Sequence, residues 1–347
     1  MTITIDKIFP NFKIGLQNIG FYFGAGTSVC AGYPVGSNFT KDILENLTTK
    51  HKKYLKGFFD KKSIPLSIID GEPDIEIITD IIIKEITITG NMELKNIEKQ
   101  IRQNIVILFL SIDEPNISFH IKFFNKLKSM YRNRDDKIWI FTTNYDLLFE
   151  HASALAKISI NNGFEGISTR YFDPNLFDLK CGRVNNSCFY PFREPAINLI
   201  KLHGSISWYK KDENVFELFD KNIIKDADHV LIQPRREKIL STLENPYESL
   251  FRYAIRTLGE KCKFLVCCGS SLRDEHINEQ LLFPKLRENK LRVFALFQHE
   301  PENIKLFKQF PSFHYLTSEK SFINGEEHIE SSDLWQFDKF IEFLNIS

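Results

Sequence analysis

Short apolar runs alternate along this chain with longer stretches in which apolar residues recur at helical spacing. Residues 19–23, 138–141 and 264–268 are nearly continuous apolar runs, and each stops abruptly at small or polar residues. Runs of this length are typical of strands buried on both faces of a parallel sheet. Another strand-like run at 292–297, with helical patterns on either side, continues the alternation. The pattern therefore predicts an α/β protein, a parallel sheet flanked by helices.

Residues 50–135 depart from this alternation and predict an inserted, mostly helical module. Segments 74–88 and 94–112 within it are strongly apolar and rich in isoleucine. This apolar surface either fills the module's own core or contacts other subunits. The predicted organisation is one sheet domain, residues 1–49 with 136–347, interrupted by the module.

Two assignments inside the module stay open at this point. The β-branched content at 81–83 weakens the prediction of a helix there. Asp74, Glu76 and Asp80 form either a carboxylate cluster or a solvated helix face, and we favour the solvated face.

Composition excludes several classes of function. The 347 residues are 43% hydrophobic, and 45 Lys and Arg balance 45 Asp and Glu. This zero net charge gives no long-range attraction to nucleic acid or to an anionic membrane, and a basic patch at 235–238 reads as solvated surface. No leader pattern or membrane-spanning run occurs, and the six cysteines contain no CxxC pair. We therefore expect a cytoplasmic, reduced protein without a zinc ribbon.

Candidate chemistry lies where the apolar runs end. Thr143, Asn144 and Asp146 follow the run at 138–141. Residues just past the carboxyl ends of strands in an open α/β sheet face the crevice where ligands bind. Asn144 and Asp146 either contact such a ligand or cap the following helix, and the residues alone leave both readings open.

Three further corners have the same character. Residues 24–28 read Gly-Ala-Gly-Thr-Ser, a glycine turn before a helix start, with Ser28 as a possible cap. Such a turn either lets backbone N–H groups approach phosphate or is a plain connection from strand to helix. The other two corners are His203-Gly204 and Gly269-Ser270-Ser271.

Taken in order, the four corners resemble the motifs of the sirtuin family, GAGxS, TQNxD, a catalytic HG pair and GTSL. The resemblance covers about residues 20–300 and implies a Rossmann-like NAD-binding fold. The chain departs from the classical deacylases in four respects. It lacks the Asp-Phe-Arg after the glycine turn, the zinc-binding cysteine quartet and the usual Asn near 294–296, and Thr143 replaces Gln. The pattern instead looks like the sirtuin-like NAD-consuming domains of bacterial antiphage systems, in which a helical module replaces the zinc lobe.

The resemblance implies roles for individual residues. Asn144 would orient a water or the ribose hydroxyls, and Asp146 would accept a hydrogen bond from the nicotinamide carboxamide. His203 would act as general base toward water or a ribose hydroxyl. The residues expected to bind NAD⁺ are Gly24, Ala25, Gly26, Thr27, Ser28, Thr143, Gly269, Ser270 and Ser271. Asp274 is left out because an anion there would repel phosphate, and the other histidines show no metal-ligand spacing.

The function implied is an NAD⁺ glycohydrolase that depletes NAD⁺ in antiphage defence by abortive infection. It would act without a metal, as a homo-oligomer activated by a partner such as a HerA-type ring ATPase or an Argonaute-like protein. One alternative is an NAD-dependent protein deacylase or ADP-ribosyltransferase that uses the same cleft. Another is a non-catalytic, nucleotide-binding oligomeric scaffold.

Overall fold

The computed structural model describes residues 18–130, 137–180, 182–191, 196–212, 214–219, 229–231 and 246–344. The predicted basic patch at 235–238 lies outside these residues.

The strands are β1 (Ile19–Phe23), β2 (Ile138–Thr142), β3 (Ser159–Asn161), β4 (Phe164–Glu165), β5 (Arg170–Phe172), β6 (Gly182–Asn185), β7 (Cys188–Pro191), β8 (Ala196–Lys201), β9 (Gly204–Lys211), β10 (Asn214–Glu217), β11 (His229–Leu231), β12 (Phe264–Cys268), β13 (Arg292–Leu296), β14 (Phe313–Leu316), β15 (Lys320–Ile323) and β16 (Glu326–Ile329). The α-helices are α1 (Gly36–Glu45), α2 (Thr49–Lys61), α3 (Ile75–Thr89), α4 (Met92–Leu110), α5 (Ser118–Met130), α6 (Leu148–Leu155), α7 (Tyr247–Thr257), α8 (Glu275–Ile277), α9 (Phe283–Arg287), α10 (Ile304–Lys308) and α11 (Phe337–Phe343). Two 3-10 helices, Ala25–Ala31 and Pro174–Asp178, and a π-helical turn, Asn278–Leu282, complete the elements.

The described strands form a large sheet in the order β16-β15-β14-β13-β12-β1-β2-β8-β3. The seven strands from β14 to β3 are parallel, and β15 and β16 continue one edge in antiparallel pairing. The chain runs from β1 outward to β2 and β8, and later from β12 outward to β13 and β14. The strand order therefore reverses between β1 and β12, the kind of point at which open α/β sheets bind ligands. The predicted α/β fold is confirmed.

Helices cover both faces of this sheet, because successive residues of a strand point to opposite sides. On one face Phe21 and Phe23 pack against Phe123 of α5, with Phe149 and Phe337 in the same cluster. On the other face Tyr22, Trp139 and the β12 side chains pack against α7, the π-helical turn and α9. Burial on both faces explains why these strands read as uninterrupted apolar runs.

The helical module has a core of its own. Apolar side chains of α1 to α4 form one cluster, including Ile78, Ile82, Ile101 and Ile105. Residues 81–83 lie within α3, so burial outweighs the weak helix preference of their β-branched side chains. Most of the isoleucine-rich surface thus packs inside the module, although Ile88 stays exposed.

The boundaries 50–135 stay a prediction. Helix α1 precedes residue 50 yet packs in the module's core, whereas α5 packs on the sheet. We propose that the module extends from α1 to α4.

A second described sheet, of order β11-β9-β10-β5-β4, flanks the end of β8, and β9 and β10 pair in it as antiparallel neighbours. Ser28 does not cap a helix as expected. The 3-10 helix begins at Ala25, so Ser28 lies inside it. Among the described helices none combines the length and apolar character needed to cross a bilayer.

Candidate functional site

The four predicted corners meet at the carboxyl ends of β1, β2, β8 and β12. They line a cavity of about 310 Å³, a volume within the range of about 300–1,000 Å³ usual for ligand pockets. Of the predicted site residues, those on the cavity wall are Gly24, Ala25, Ser28, Thr143, Asn144, Asp146, His203, Gly269, Ser270 and Ser271. Gly26 and Thr27 do not line it. The parallel sheet accounts for this convergence, because the carboxyl ends of its strands share one edge.

Ser28, Asn144 and Asp146 form one buried hydrogen-bond network. The Ser28 hydroxyl donates to Asp146 Oδ2 at 2.6 Å, and Asn144 Nδ2 donates to Ser28 Oγ at 3.0 Å and to Thr27 Oγ1 at 3.1 Å. Asp146 Oδ1 also accepts from the backbone N–H of Leu148 at 3.1 Å. The aspartate therefore accepts a hydrogen bond at the start of α6, as the capping alternative predicts, and it also holds Ser28. Contact of Asn144 and Asp146 with a ligand stays a prediction.

This network fixes which way the Asn144 amide points. The hydroxyl protons of Ser28 and Thr27 are already donated, to Asp146 and to the Gly24 carbonyl oxygen. Both hydroxyls can only accept from Asn144, so its nitrogen must face them. Asn144 Oδ1 is then left buried, with no hydrogen-bond partner in the described part of the chain. A buried acceptor in this state is costly unless a ligand or water satisfies it.

The two glycine-containing corners are in direct contact with each other. The Gly26 backbone N–H donates to the Gly269 carbonyl oxygen at 2.8 Å, and Gly24 donates to Cys268 at 3.1 Å. A Cβ on Gly26 would lie 2.7 Å from Gly269 Cα, and one on Gly24 would lie 2.6 Å from Gly269 O. Glycine is therefore required here by the packing of the two loops. The backbone N–H groups of Gly24, Gly26 and Thr27 donate to carbonyl oxygens of the protein. Those groups are therefore not available to a phosphate.

Lys201, the last residue of β8, contacts the corner that follows β2. Its ammonium donates to the backbone carbonyl oxygen of Asp146 and pairs with Glu150 Oε1 at 3.0 Å. The Lys201 side chain is 1% exposed and that of Glu150 8%. The sequence analysis did not single out this lysine, although a cation at the end of a mostly apolar strand is itself a signal, because a buried cation needs a partner.

His203 is buried at the cavity wall beside two residues that we had set aside. Its Nε2 lies 3.2 Å from Nε2 of His276 and 3.9 Å from Oδ1 of Asp274. The two imidazole rings stack at 5.2 Å, and Asp274 lines the cavity. Asp274 and His276 follow the Gly269 corner by five and seven residues, a proximity in sequence that could have drawn attention to them. Asp274 was left out because an anion would repel phosphate. That reason applies to the phosphate end of a dinucleotide and not to its other end.

The helical module supplies the opposite wall. Phe39, Ile75 and Phe109 line the cavity together with the carboxylates of Asp74 and Glu76. Asp74 also caps α3, accepting from the Ile77 backbone N–H at 3.0 Å. The solvated helix face that we favoured for Asp74, Glu76 and Asp80 is therefore wrong, because the first two border the cavity and Asp80 is buried.

The tyrosines of the cavity wall stay protonated at neutral pH. Burial raises the pKa of Tyr145 well above its usual value, and the charges of Asp274 and Glu76 add to the increase. Burial followed by the Asp146 charge raises the pKa of Tyr33. These phenols can donate hydrogen bonds, but they are poor bases.

Three of the described cysteines are buried thiols. Burial raises the pKa of Cys262, Cys267 and Cys268, of which the last two lie in β12. Among the described residues, the one group of three or more His, Cys, Asp or Glu side chains close enough to share an ion is His203, Asp274 and His276.

Comparison with known proteins now identifies the family. The profile of the SIR2-like domain matches residues 139–315, slightly more than half of the chain. Similar solved structures include a Sir2–p53 peptide–NAD⁺ complex at 12% identity, covering 98% of this chain and 97% of that one with a TM-score of 0.43. A Sir2 protein bound to a propionylated peptide matches at 13% identity, covering 98% and 96%, with a TM-score of 0.42. A search of curated proteins gave no match. The chain belongs to the SIR2-like domain family, a membership that supports NAD-dependent activity in general.

Proposed function

We propose that this protein hydrolyses NAD⁺ at the bond between nicotinamide and ribose, giving nicotinamide and ADP-ribose. One observation carries the proposal. Asn144, Asp146 and His203 follow two strands that are far apart in sequence, and they meet at a single cavity at the switch point of the sheet. The residues that line the cavity match the needs of this reaction one by one.

Asn144 suits the ribose. Its Oδ1 is a buried acceptor on the cavity wall without a partner in the described structure, and a ribose hydroxyl would supply the missing donor. Because Ser28 and Thr27 hold its amide, the acceptor is already oriented before the substrate binds. Such preorganisation is worth more to catalysis than a side chain that must reorient during the reaction.

The carboxylates suit the transition state. Cleavage of this glycosidic bond passes through an oxocarbenium-like state with developing positive charge on the ribose. Asp146 and Asp274 line the cavity on the sheet side, and Asp74 and Glu76 line it on the module side. A cavity bordered by fixed negative charge stabilises a developing cation. We assign His203 as the base that takes a proton from the attacking water.

The pyrophosphate is assigned to the corner that follows β12. Arg273 lines the cavity and follows Ser270 and Ser271 closely in sequence. Its guanidinium can bind phosphate oxygens with two parallel hydrogen bonds. This assignment replaces part of the role that the resemblance implies for Gly24 and Gly26, whose N–H groups are bonded within the protein.

Water is the proposed acceptor because of the module. Phe39, Ile75 and Phe109 line the side of the cavity opposite the sheet corners. These apolar side chains do not bind the backbone of an acyl-lysine peptide, and the carboxylates of Asp74 and Glu76 beside them offer no hydrogen-bond donors. We therefore favour hydrolysis over transfer to a protein.

The test is to incubate the protein with NAD⁺ and identify the products by mass spectrometry. We expect free ADP-ribose without any added acceptor, and unchanged turnover in the presence of a chelator. His203→Ala should lower turnover by about 100-fold or more while NAD⁺ binding persists. His151→Ala, at an exposed position in α6, is the matched control. Formation of O-acyl-ADP-ribose or modified protein, or normal turnover by His203→Ala, would contradict the proposal.

We propose further that NAD⁺ depletion serves antiphage defence and is controlled by assembly. An unregulated NAD⁺ hydrolase would poison its own cell, so we expect a homo-oligomer of low activity that a partner activates. A HerA-type ring ATPase or an Argonaute-like protein is the partner that the resemblance suggests. Light scattering of the purified chain, followed by the NAD⁺ assay with and without the neighbouring gene product, tests both expectations. A fully active monomer would contradict them.

A further inference from the structure

The contact of His203 with Asp274 and His276 has a second chemical meaning. His203 follows β8, whereas Asp274 and His276 lie at the start of α8, after the corner that follows β12. The two Nε2 atoms are 3.2 Å apart, Asp274 Oδ1 is 3.9 Å from His203 Nε2, and ligand atoms from all three lie within 4.8 Å of one another. Both imidazoles are nearly fully buried. We propose that these three residues bind a divalent transition metal ion of the zinc class.

The distances fit such an ion. Zinc bound by imidazole has a Zn–N distance of about 2.0–2.1 Å and tetrahedral geometry, so two of its nitrogen ligands are separated by about 3.3 Å. The observed separation of 3.2 Å between the two Nε2 atoms is close to this value. The Asp274 oxygen is slightly farther away, and its side chain is 20% exposed, which leaves it room to rotate toward the ion.

The donor set selects the class of metal. Two imidazoles and one carboxylate suit Zn²⁺, Co²⁺ or Ni²⁺, whereas Mg²⁺ prefers oxygen ligands throughout. Three protein ligands leave a fourth position for water. His203 and Asp274 both line the cavity, which gives the ion a path from solvent.

A metal-free explanation of the same contact exists. Two neutral imidazoles can share one N–H···N hydrogen bond at about the observed distance. That arrangement explains the pair of histidines, and Asp274 forms an ion pair with His203 only where the imidazole is protonated. Metal binding accounts for all three side chains together.

The consequence for activity rests on the proposed function. A metal bound at His203 Nε2 occupies the lone pair that would accept a proton from water. The ion would therefore act as a reversible inhibitor and not as a cofactor. NAD⁺ cleavage should slow as Zn²⁺ is added and recover when a chelator removes it.

The experiment uses the full chain, without a purification tag and freed of metal by a chelator. Titration with Co²⁺, followed by its visible absorption and by calorimetry, should show one ion bound per chain, displaced by Zn²⁺ and unaffected by Mg²⁺. His276→Asn and Asp274→Asn should each weaken binding by about 100-fold or more, because loss of a mere outer partner already costs 10–100-fold. His328→Asn, at an exposed histidine of β16, should leave binding unchanged.

The binding readout keeps this inference separate from the proposed function. The metal site would be overturned if the unaltered chain did not bind one ion per chain. It would also be overturned if His276→Asn and Asp274→Asn bound the ion as tightly as the unaltered chain does. Thermal unfolding checks that each variant folds. If His276→Asn, which alters a buried residue, does not fold, the binding measured for Asp274→Asn decides the question. Metal binding without any change in NAD⁺ turnover would overturn the inhibitory role. Absence of NAD⁺ cleavage by the metal-free chain would count against the proposed function alone, since Co²⁺ binding can still be measured.

Discussion

Lys201 offers the sharpest test of how the sheet supports the site. Its buried ammonium has two tasks, which are to neutralise Glu150 and to hold the backbone carbonyl of Asp146. Replacing it with Met removes both interactions and leaves a carboxylate that is 8% exposed without its counter-charge. Removal of one partner from a buried ion pair costs about 3–5 kcal/mol, and we expect Lys201→Met to lose that amount of unfolding free energy.

A second substitution separates the two tasks. Replacing both members of a buried pair with apolar side chains of similar volume is often neutral for stability. Lys201→Met combined with Glu150→Met should therefore regain most of the unfolding free energy. The Asp146 carbonyl remains unanchored in this double variant. Displacement of a catalytic group by about 1 Å can cost about 100-fold in rate, so turnover should stay low by about that factor.

The assay combines urea unfolding with NAD⁺ turnover for three variants. Glu150→Met alone is the matched control, because it removes the carboxylate while Lys201 still holds the carbonyl. It should lose stability but keep most of its turnover. If the double variant regains both stability and turnover, Lys201 is only a counter-ion and the anchoring argument is wrong.

Two further outcomes test the loop contact and a buried histidine. Gly26→Ala should cost about 1–3 kcal/mol of unfolding free energy and weaken NAD⁺ binding, because its Cβ would lie 2.7 Å from the Gly269 backbone. Gly57→Ala in α2, where a Cβ meets nothing within 4 Å, should not destabilise, and equal losses in both would refute the packing argument. Burial lowers the pKa of His120 from 6.5 to about 4. Between these two pH values the imidazole binds a proton in the unfolded state and not in the folded state, so the free energy of unfolding falls as the pH drops from about 6.5 to 4. Between pH 7 and pH 5 the loss is about 2 kcal/mol, and His120→Phe should remove it from urea unfolding curves, whereas an unchanged pH dependence would contradict this account.

The sequence determined the sheet and the four corners. Strands buried on both faces must be apolar throughout, so β1, β2 and β12 are visible as short runs with sharp ends. The chain direction also places the end of each parallel strand at one edge. Asn144, Asp146 and His203 could therefore be assigned to a common site from their positions after strands, with the sirtuin resemblance supplying the order.

Only the tertiary structure decided which atoms are available. The sequence around Gly24 and Gly26 suggests a phosphate-binding turn. In the structure this turn packs closely against the loop after β12, and the N–H groups of both glycines donate to backbone carbonyl oxygens at the end of β12 and in that loop. The orientation of the Asn144 amide depends on where the Thr27 and Ser28 hydroxyls donate their protons, and Ser28 donates to Asp146, 118 positions away. Such facts depend on contacts between residues more than a hundred positions apart, and no local pattern encodes them.

The same reason applies to the residues that sequence reasoning missed. Lys201, Asp274 and His276 matter because of what lies next to them in space, and the signals in their own segments do not say which residues those neighbours are. The boundaries of the module have this character too, since α1 and α5 differ in which core they join and not in their own periodicity. Local periodicity fixes which face of an element is buried, whereas the partner of that face depends on how the whole chain packs.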